Sequence, residues 1–91
     1  MRESGETRNQ DQEWSQAERE ELRKIRRLQV MMNMVMAVIS QDVNMTVEEA
    51  SELVADAKRA ALAMFPDKEL AYDLIYKPRL QRLMNERFRL Q

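Results

Sequence analysis

The sequence predicts an all-α protein, a small bundle of three to four helices, and three observations support this prediction. The 91 residues include only one glycine and two prolines, so the glycine-bearing turns of tight β-hairpins are missing. Met, Leu, Ala, Glu, Arg and Gln dominate the chain, and these residues are good helix formers. Apolar residues recur at intervals of three and four, which is the spacing of a helix face. We expect a single helical domain over residues 14–91. Residues 1–13 are predicted to be a disordered polar tail, since they are too poor in apolar side chains to order themselves.

The first predicted helix runs from Ser15 to about Ser40, because Ser15 and Glu18 have the spacing of a capping box. On a helical wheel, a narrow polar strip lies opposite an apolar arc that is roughly 160° wide at about 100° per residue. The strip comprises Arg26, Gln29, Asn33, Ala37 and Ser40, and the arc comprises Leu28, Met31, Met32, Met34, Val35, Val38 and Ile39. Since a surface helix needs an arc of only about 100°, we expect this helix to contact more than one neighbour.

The second predicted helix begins after Thr46, with Glu49 completing a second capping box. It ends at Phe65, because Pro66 disfavours helical geometry in the residue before it. Its apolar face comprises Val47, Ala50, Leu53, Val54, Ala57, Ala61 and Met64. The alanines in this face permit close approach of a neighbouring helix.

Two shorter helices are predicted at the C-terminal end, the third starting at Asp67 as N-cap and the fourth running from Pro78 to about Leu90. A break or kink is expected at Pro78, because proline inside a helix costs about 3 kcal/mol. Whether the two are separate helices or one kinked helix stays open. The expected inward residues are Leu70, Ala71, Leu74 and Ile75 in the third helix and Leu80, Leu83, Met84 and Phe88 in the fourth. This pair is expected to pack across an antiparallel hairpin of the first two helices.

The residue types argue against catalysis, and we expect no enzyme activity, no metal and no cofactor. The chain has no cysteine and no histidine, so a thiolate nucleophile, a zinc site and the commonest general base are missing. Glu48, Glu52 and Asp56 share one helix face, and we interpret them as a solvated surface rather than a cation site. The apolar run Leu28–Ile39 is shorter than the about 20 residues of a membrane span. With no leader-type segment in residues 1–13, a cytoplasmic location is expected.

The function favoured by the sequence is protein interaction, with the chain forming a homodimer or docking to another protein. Small domains without disulfides often gain stability by association, and the wide arc of the first helix offers a surface. The predicted interface comprises Met31, Met34, Val35 and Val38, with Tyr72, Tyr76 and Arg79 as a second patch. The alternatives are that the C-terminal helices cover the arc and that the tyrosines are half-buried, with their hydroxyls in solvent.

A second hypothesis is a small nucleic-acid-associated regulator, because two predicted helical segments, 19–27 and 77–91, are basic. The candidate phosphate contacts are Arg23, Arg26, Arg27, Arg82 and Arg87. The net charge of -1 weakens this hypothesis, since a dedicated binder is usually basic overall. Residues 42–56 are acidic, and we interpret the charged segments as solvated surfaces. The alternative is that the opposite charges meet, either within the fold or across a dimer.

Overall fold

A computed structural model describes residues 15–89, and these residues form four α-helices. The helices are α1 (Gln16–Gln41), α2 (Val47–Met64), α3 (Glu69–Ile75) and α4 (Lys77–Phe88). No strand occurs within the described range, so the all-α prediction is confirmed. The predicted polar tail, residues 1–13, lies outside the described residues, as do Trp14, Leu90 and Gln91.

Both predicted capping boxes are present. The Ser15 hydroxyl accepts a hydrogen bond from the Glu18 N–H at 3.1 Å, and the Glu18 carboxylate accepts one from the Ser15 N–H at 2.9 Å. These hydrogen bonds lower the pKa of Glu18. Thr46 and Glu49 exchange the same pair of bonds at 3.1 Å and 2.9 Å. Each box satisfies two backbone donors that a helix start leaves without a partner.

The turn between α1 and α2 folds the two helices into the expected antiparallel hairpin. The Asp42 N–H still donates to the Val38 carbonyl at 2.9 Å, which completes the last turn of α1. The Asp42 side chain then accepts from the Asn44 N–H at 3.0 Å, and the Met45 N–H donates to the Asp42 carbonyl at 3.2 Å. This turn positions α2 against the inner face of α1.

The core lies where α1, α2 and α4 meet. Its buried members are Met32, Val35, Ile39, Ala50, Ala57, Ala61, Tyr72 and Leu80. Three of these eight residues are alanines from α2, so this helix approaches its neighbours closely but contributes little apolar volume. The predicted inward residues of α4 all face the core: Leu80 is buried, and Leu83, Met84 and Phe88 are half-buried around it.

The helix α1 extends beyond the hairpin. It has 26 residues against 18 in α2, a difference of about 12 Å at 1.5 Å per residue. Every residue from Ser15 to Arg23 is exposed. Packing begins at Lys24, whose ammonium lies 5.9 Å from the centre of the Phe65 ring at the end of α2. Among the described residues, the side chains of the N-terminal turns of α1 are therefore exposed to solvent.

The start of α3 differs from the prediction. Lys68, not Asp67, is the N-cap, and no side chain caps this helix. The Lys68 N–H donates to the Phe65 carbonyl at 3.1 Å in the turn that follows α2. The helix α3 therefore begins at Glu69, one residue later than it would with Asp67 as its N-cap.

The inner face of α3 agrees with the prediction only at Ala71, which is half-buried. Leu70 and Leu74 are 72% and 69% exposed, and Ile75 is exposed as well. Tyr72 is buried instead, with only 6% of its surface exposed. Two ion pairs accompany this orientation, since Lys58 on α2 binds residues on the Tyr72 side of α3. Its Nζ atom lies 3.1 Å from a Glu69 carboxylate oxygen and 3.0 Å from one of Asp73.

The predicted break at Pro78 is present, and it separates two short helices. Tyr76 is both the C-cap of α3 and the N-cap of α4, with φ −99° and ψ −34°. Pro78 lies in the first turn of α4, where its missing N–H costs no helical hydrogen bond. The helix ends at Phe88, before the predicted Leu90, and Arg89 adopts a left-handed conformation with φ 55°.

Candidate interaction surface on α1

The strongest candidate for a functional surface is a row of solvated aliphatic side chains on α1. Val30, Met34 and Val38 follow one another at intervals of one helical turn, and they are 60%, 63% and 41% exposed. We refer to these three residues as the outer stripe. The core residues Met32, Val35 and Ile39 occupy a different side of the same helix. The helix α1 therefore carries two apolar surfaces, of which the described chain covers only one.

The four predicted interface residues of α1 divide between these two surfaces. Met34 and Val38 belong to the outer stripe. Val35 is buried in the core and Met31 is half-buried beside it, so the C-terminal helices cover part of the predicted arc. Val35 is consequently not available on the surface of this fold.

The polar strip of α1 was predicted correctly. Asn33 and Ala37 are exposed, as are Arg26, Gln29 and Ser40. The Ser40 hydroxyl donates to the Met36 carbonyl at 2.8 Å, within its own helix. Asn33 thus lies outside the core, and the strip and the outer stripe are two distinct solvated surfaces of one helix.

The predicted tyrosine patch is not an exposed surface. Tyr72 is buried, and its ring centre lies 5.6 Å from that of the half-buried Tyr76, with the two planes at 43°. Arg79 is exposed. Tyr72 therefore packs as a core residue, more deeply buried than the predicted patch or its half-buried alternative with a solvated hydroxyl would require.

A groove between α2 and α4 has Tyr72 in its wall. It has a volume of about 450 Å³ and a mixed lining, in which Val54, Leu80 and Met84 are apolar and Lys58 and Asp73 are charged. The Tyr72 hydroxyl is buried and has no hydrogen-bond partner among the described residues. Burial raises the pKa of Tyr72. The hydrogen bonds to Asp73 and Glu69 raise the pKa of Lys58.

No ion pair joins the acidic segment to the basic segments within the described chain, although Arg87 of the C-terminal basic segment donates a hydrogen bond to the Asp42 carbonyl. Glu48 and Glu52 are exposed on α2, and Arg79 and Arg82 are exposed on α4. None of these four side chains takes part in an ion pair with another described residue. Asp56 pairs with Arg59 on its own helix, and residues 15–89 contain no acidic cluster that could hold a metal ion.

Arg87 lies apart from the basic segment of α1. The Arg87 guanidinium donates to the Asp42 carbonyl at 2.8 Å, so the end of α4 lies beside the end of α1. Arg27 is about 22 Å from that point at 1.5 Å per helical residue. Arg23, Arg26 and Arg27 therefore form one exposed basic surface, and Arg87 belongs to another.

Sequence reasoning missed some exposed apolar residues. Val30 was not assigned to the interface, although its spacing from Met34 is one helical turn and would have identified it. Leu70 and Leu74 were assigned to the core, although they form a second exposed apolar surface on α3. No sequence signal separates these leucines from core residues, since their exposure follows from the orientation of α3.

Within residues 15–89, no helix combines the length and the apolar character that a membrane crossing requires. No protein-family model, no curated protein and no solved structure is significantly similar to this chain.

Proposed function

We propose that this chain is a small interaction module without enzymatic activity, and that it self-associates through the outer stripe of α1. The observation that carries the proposal is the second apolar surface of α1, formed by Val30, Met34 and Val38. Contiguous exposed apolar side chains on a small protein are typical of interaction sites. A row spaced by one helical turn is suited to pack against another helix.

The small core supports the proposal. Of the eight buried residues, only Met32 and Ile39 are large side chains with essentially no exposed surface. A core of this size gives a domain of about 75 residues little excess stability, and association is a common remedy. Since the chain has no cysteine, disulfides do not take this role.

The exposed area of the outer stripe indicates a weak dimer. Fully burying a Val or Met side chain contributes about 1.5–3 kcal/mol. Scaled by the exposed fractions of the three residues, six such side chains in a symmetric dimer contribute about 5–10 kcal/mol. Association costs about 4–15 kcal/mol in lost freedom and ordering. The two ranges overlap, so we expect dissociation constants in the micromolar range or above.

The test compares two double variants of α1. Val30→Glu plus Met34→Glu places two charges in the outer stripe, four residues apart. Asn33→Glu plus Ala37→Glu places the same two charges at the same spacing on the polar strip, so it controls for charge and for helix propensity. We expect light scattering after size exclusion to show a dimer for the wild type and the control, and a monomer for the stripe variant.

Circular dichroism of both variants checks that the helices are intact. The proposal fails if the wild type is monomeric at millimolar concentration, or if the stripe variant and its control associate equally. If the wild type is a monomer that binds a different protein through Met34, the outer stripe is still an interaction surface, but its partner is not a second copy of this chain.

A further inference from the structure

The outer stripe continues toward the N-terminus of α1 as a basic surface. Arg23, Arg27, Val30, Met34 and Val38 follow at intervals of four, three, four and four residues, and all five are exposed. Such spacing keeps the five side chains on one side of the helix. Neither arginine takes part in an ion pair with another described residue. Glu20 lies on the same side, three residues before Arg23, so this side of α1 carries two basic residues against one acidic residue in its first half and is apolar over its second half.

The opposite end of the hairpin is acidic. Asp42, Glu48, Glu49 and Glu52 are exposed around the turn where α1 ends and α2 begins. We refer to these four residues as the acidic tip. Arg87 offsets one of their charges, through its bond to the Asp42 carbonyl. The α1 helix itself has no basic residue in its last turn, so the negative end of its dipole adds to the same field.

We propose that the occupant of the outer stripe is a second copy of this chain, bound antiparallel along α1 with Met34 near the two-fold axis. This inference rests on the proposed self-association and specifies its orientation. In this register Val30 of each copy lies opposite Val38 of the other. Arg27 lies opposite Gln41, the last residue of α1 in the other copy, and Arg23 lies beyond it at the acidic tip.

Charge complementarity selects this orientation. In an antiparallel pair, the basic half of each α1 lies along the acidic tip of the other copy, and the contact occurs twice by symmetry. In a parallel pair, Arg23 and Arg27 would face the same residues of the other copy, and the two acidic tips would also face each other. Juxtaposed like charges are strongly unfavourable, so the charge pattern specifies orientation while the outer stripe provides association.

The absence of cysteine from the chain allows a direct test by disulfide cross-linking. Val30→Cys and Val38→Cys are prepared as separate proteins, one of them with a tag that changes its mobility on a gel. In the antiparallel pair, two copies of Val30 are about 12 Å apart along the axis at 1.5 Å per residue. This separation is too long for a disulfide, which needs Cα atoms within about 7 Å. Val30 and Val38 of different copies face each other directly.

We expect the mixture of the two variants to form a disulfide-linked heterodimer under mild oxidation, and each variant alone to remain near background. Asn33→Cys, on the polar strip, gives the background from random collision. Met34→Cys links in either orientation, so it reports whether the outer stripes meet at all. The antiparallel inference is overturned if Met34→Cys links and Val30→Cys links to itself more than to Val38→Cys. In that result the self-association of the previous subsection still stands.

Failure of Met34→Cys to exceed the background, together with a monomeric wild type, would overturn both the orientation and the self-association. A charge-reversed variant tests the electrostatic argument independently. Arg23→Glu plus Arg27→Glu leaves the outer stripe unchanged and is expected to weaken the dimer by about threefold to tenfold, on the scale of exposed ion pairs. Stronger dimerisation of this variant would contradict the antiparallel orientation, as would stronger dimerisation of the wild type at high salt.

Discussion

Removing the Tyr72 hydroxyl is expected to stabilise this protein. The side chain is 6% exposed and its hydroxyl is buried without a partner among the described residues. A buried polar group that makes no hydrogen bond costs about 1–3 kcal/mol. Tyr72→Phe keeps the ring, its contact with Tyr76 and its position near Lys58. Taking the lower end of that range, we expect the free energy of unfolding to rise by about 1 kcal/mol.

Thermal unfolding followed by circular dichroism measures this effect. A gain of 1 kcal/mol raises Tm by about 4–8 °C in a domain of 60–100 residues. Tyr76→Phe is the matched control, since its ring is half-buried and its hydroxyl is not a buried orphan, and we expect its Tm to change little. If Tyr72→Phe lowers Tm by several degrees while Tyr76→Phe does not, the hydroxyl has a stabilising partner and the reasoning is refuted.

The pH dependence provides a second readout of the same substitution. Burial raises the pKa of Tyr72 above its ordinary value of 10.0. A raised pKa in the folded state favours the protonated phenol, so its contribution to stability is complete below pH 10 and is lost as the pH rises further. The wild type should therefore lose stability more steeply than Tyr72→Phe above about pH 10. Equal slopes for the two proteins would contradict the burial of the hydroxyl.

Five further substitutions test the fold, the last of them through its dependence on pH. Leu80→Ala should lower the free energy of unfolding by about 2–5 kcal/mol because Leu80 is buried. The exposed Leu74 is the control, and Leu74→Ala should change this free energy by no more than about 0.5 kcal/mol. Equal losses for the two variants would mean that Leu74 is buried, as the sequence predicted. Thr46→Ala should lower the free energy of unfolding by about 1 kcal/mol, because it removes the N-cap of α2. Asp67→Ala should lower it by less than half of that, because Asp67 caps no helix, and urea unfolding measures both values. Asp73 and Glu69 raise the pKa of Lys58 above 10.5. Its ion pairs should therefore stabilise the protein fully below that pH and progressively less above it. Lys58→Met should therefore lose less stability than the wild type as the pH rises above this value, as urea unfolding at several pH values would show.

The elements with strong local signals could be predicted from the sequence. The capping boxes at Ser15 and Thr46 fix the starts of the two long helices through bonds that span three residues, so no tertiary information is needed. The ends near Pro66 and Pro78 follow from the geometry of proline in the same way. These four residues determine most of the boundaries of the fold.

The orientation of α3 could not be predicted, because it depends on a contact between helices. A helix of seven residues contains barely two turns, so leucines at positions 70 and 74 suggest an inner face without proving it. In the structure the other side of α3, with the buried Tyr72, lies against α2, where Lys58 pairs with Glu69 and Asp73. Lys58 is far from α3 in the sequence, and nothing in the local pattern indicates this pairing.

The candidate surface was predicted in part for a related reason. The width of the apolar arc on α1 correctly indicated that this helix has more apolar surface than one neighbour needs. Which part of the arc stays exposed depends on where α2 and α4 pack, and this placement buries Val35 and leaves Met34 in solvent. The helical wheel gives the directions of the side chains but not the positions of the neighbouring helices.

The molar mass of the wild-type protein in solution tests the central claim most directly. Light scattering after size exclusion would be recorded from micromolar to millimolar concentrations, at low and at high salt. We predict a mass that rises with concentration from 10.8 kDa for one chain toward twice that value, with less dimer at high salt. A mass that stays at 10.8 kDa over the whole range would contradict self-association through the outer stripe.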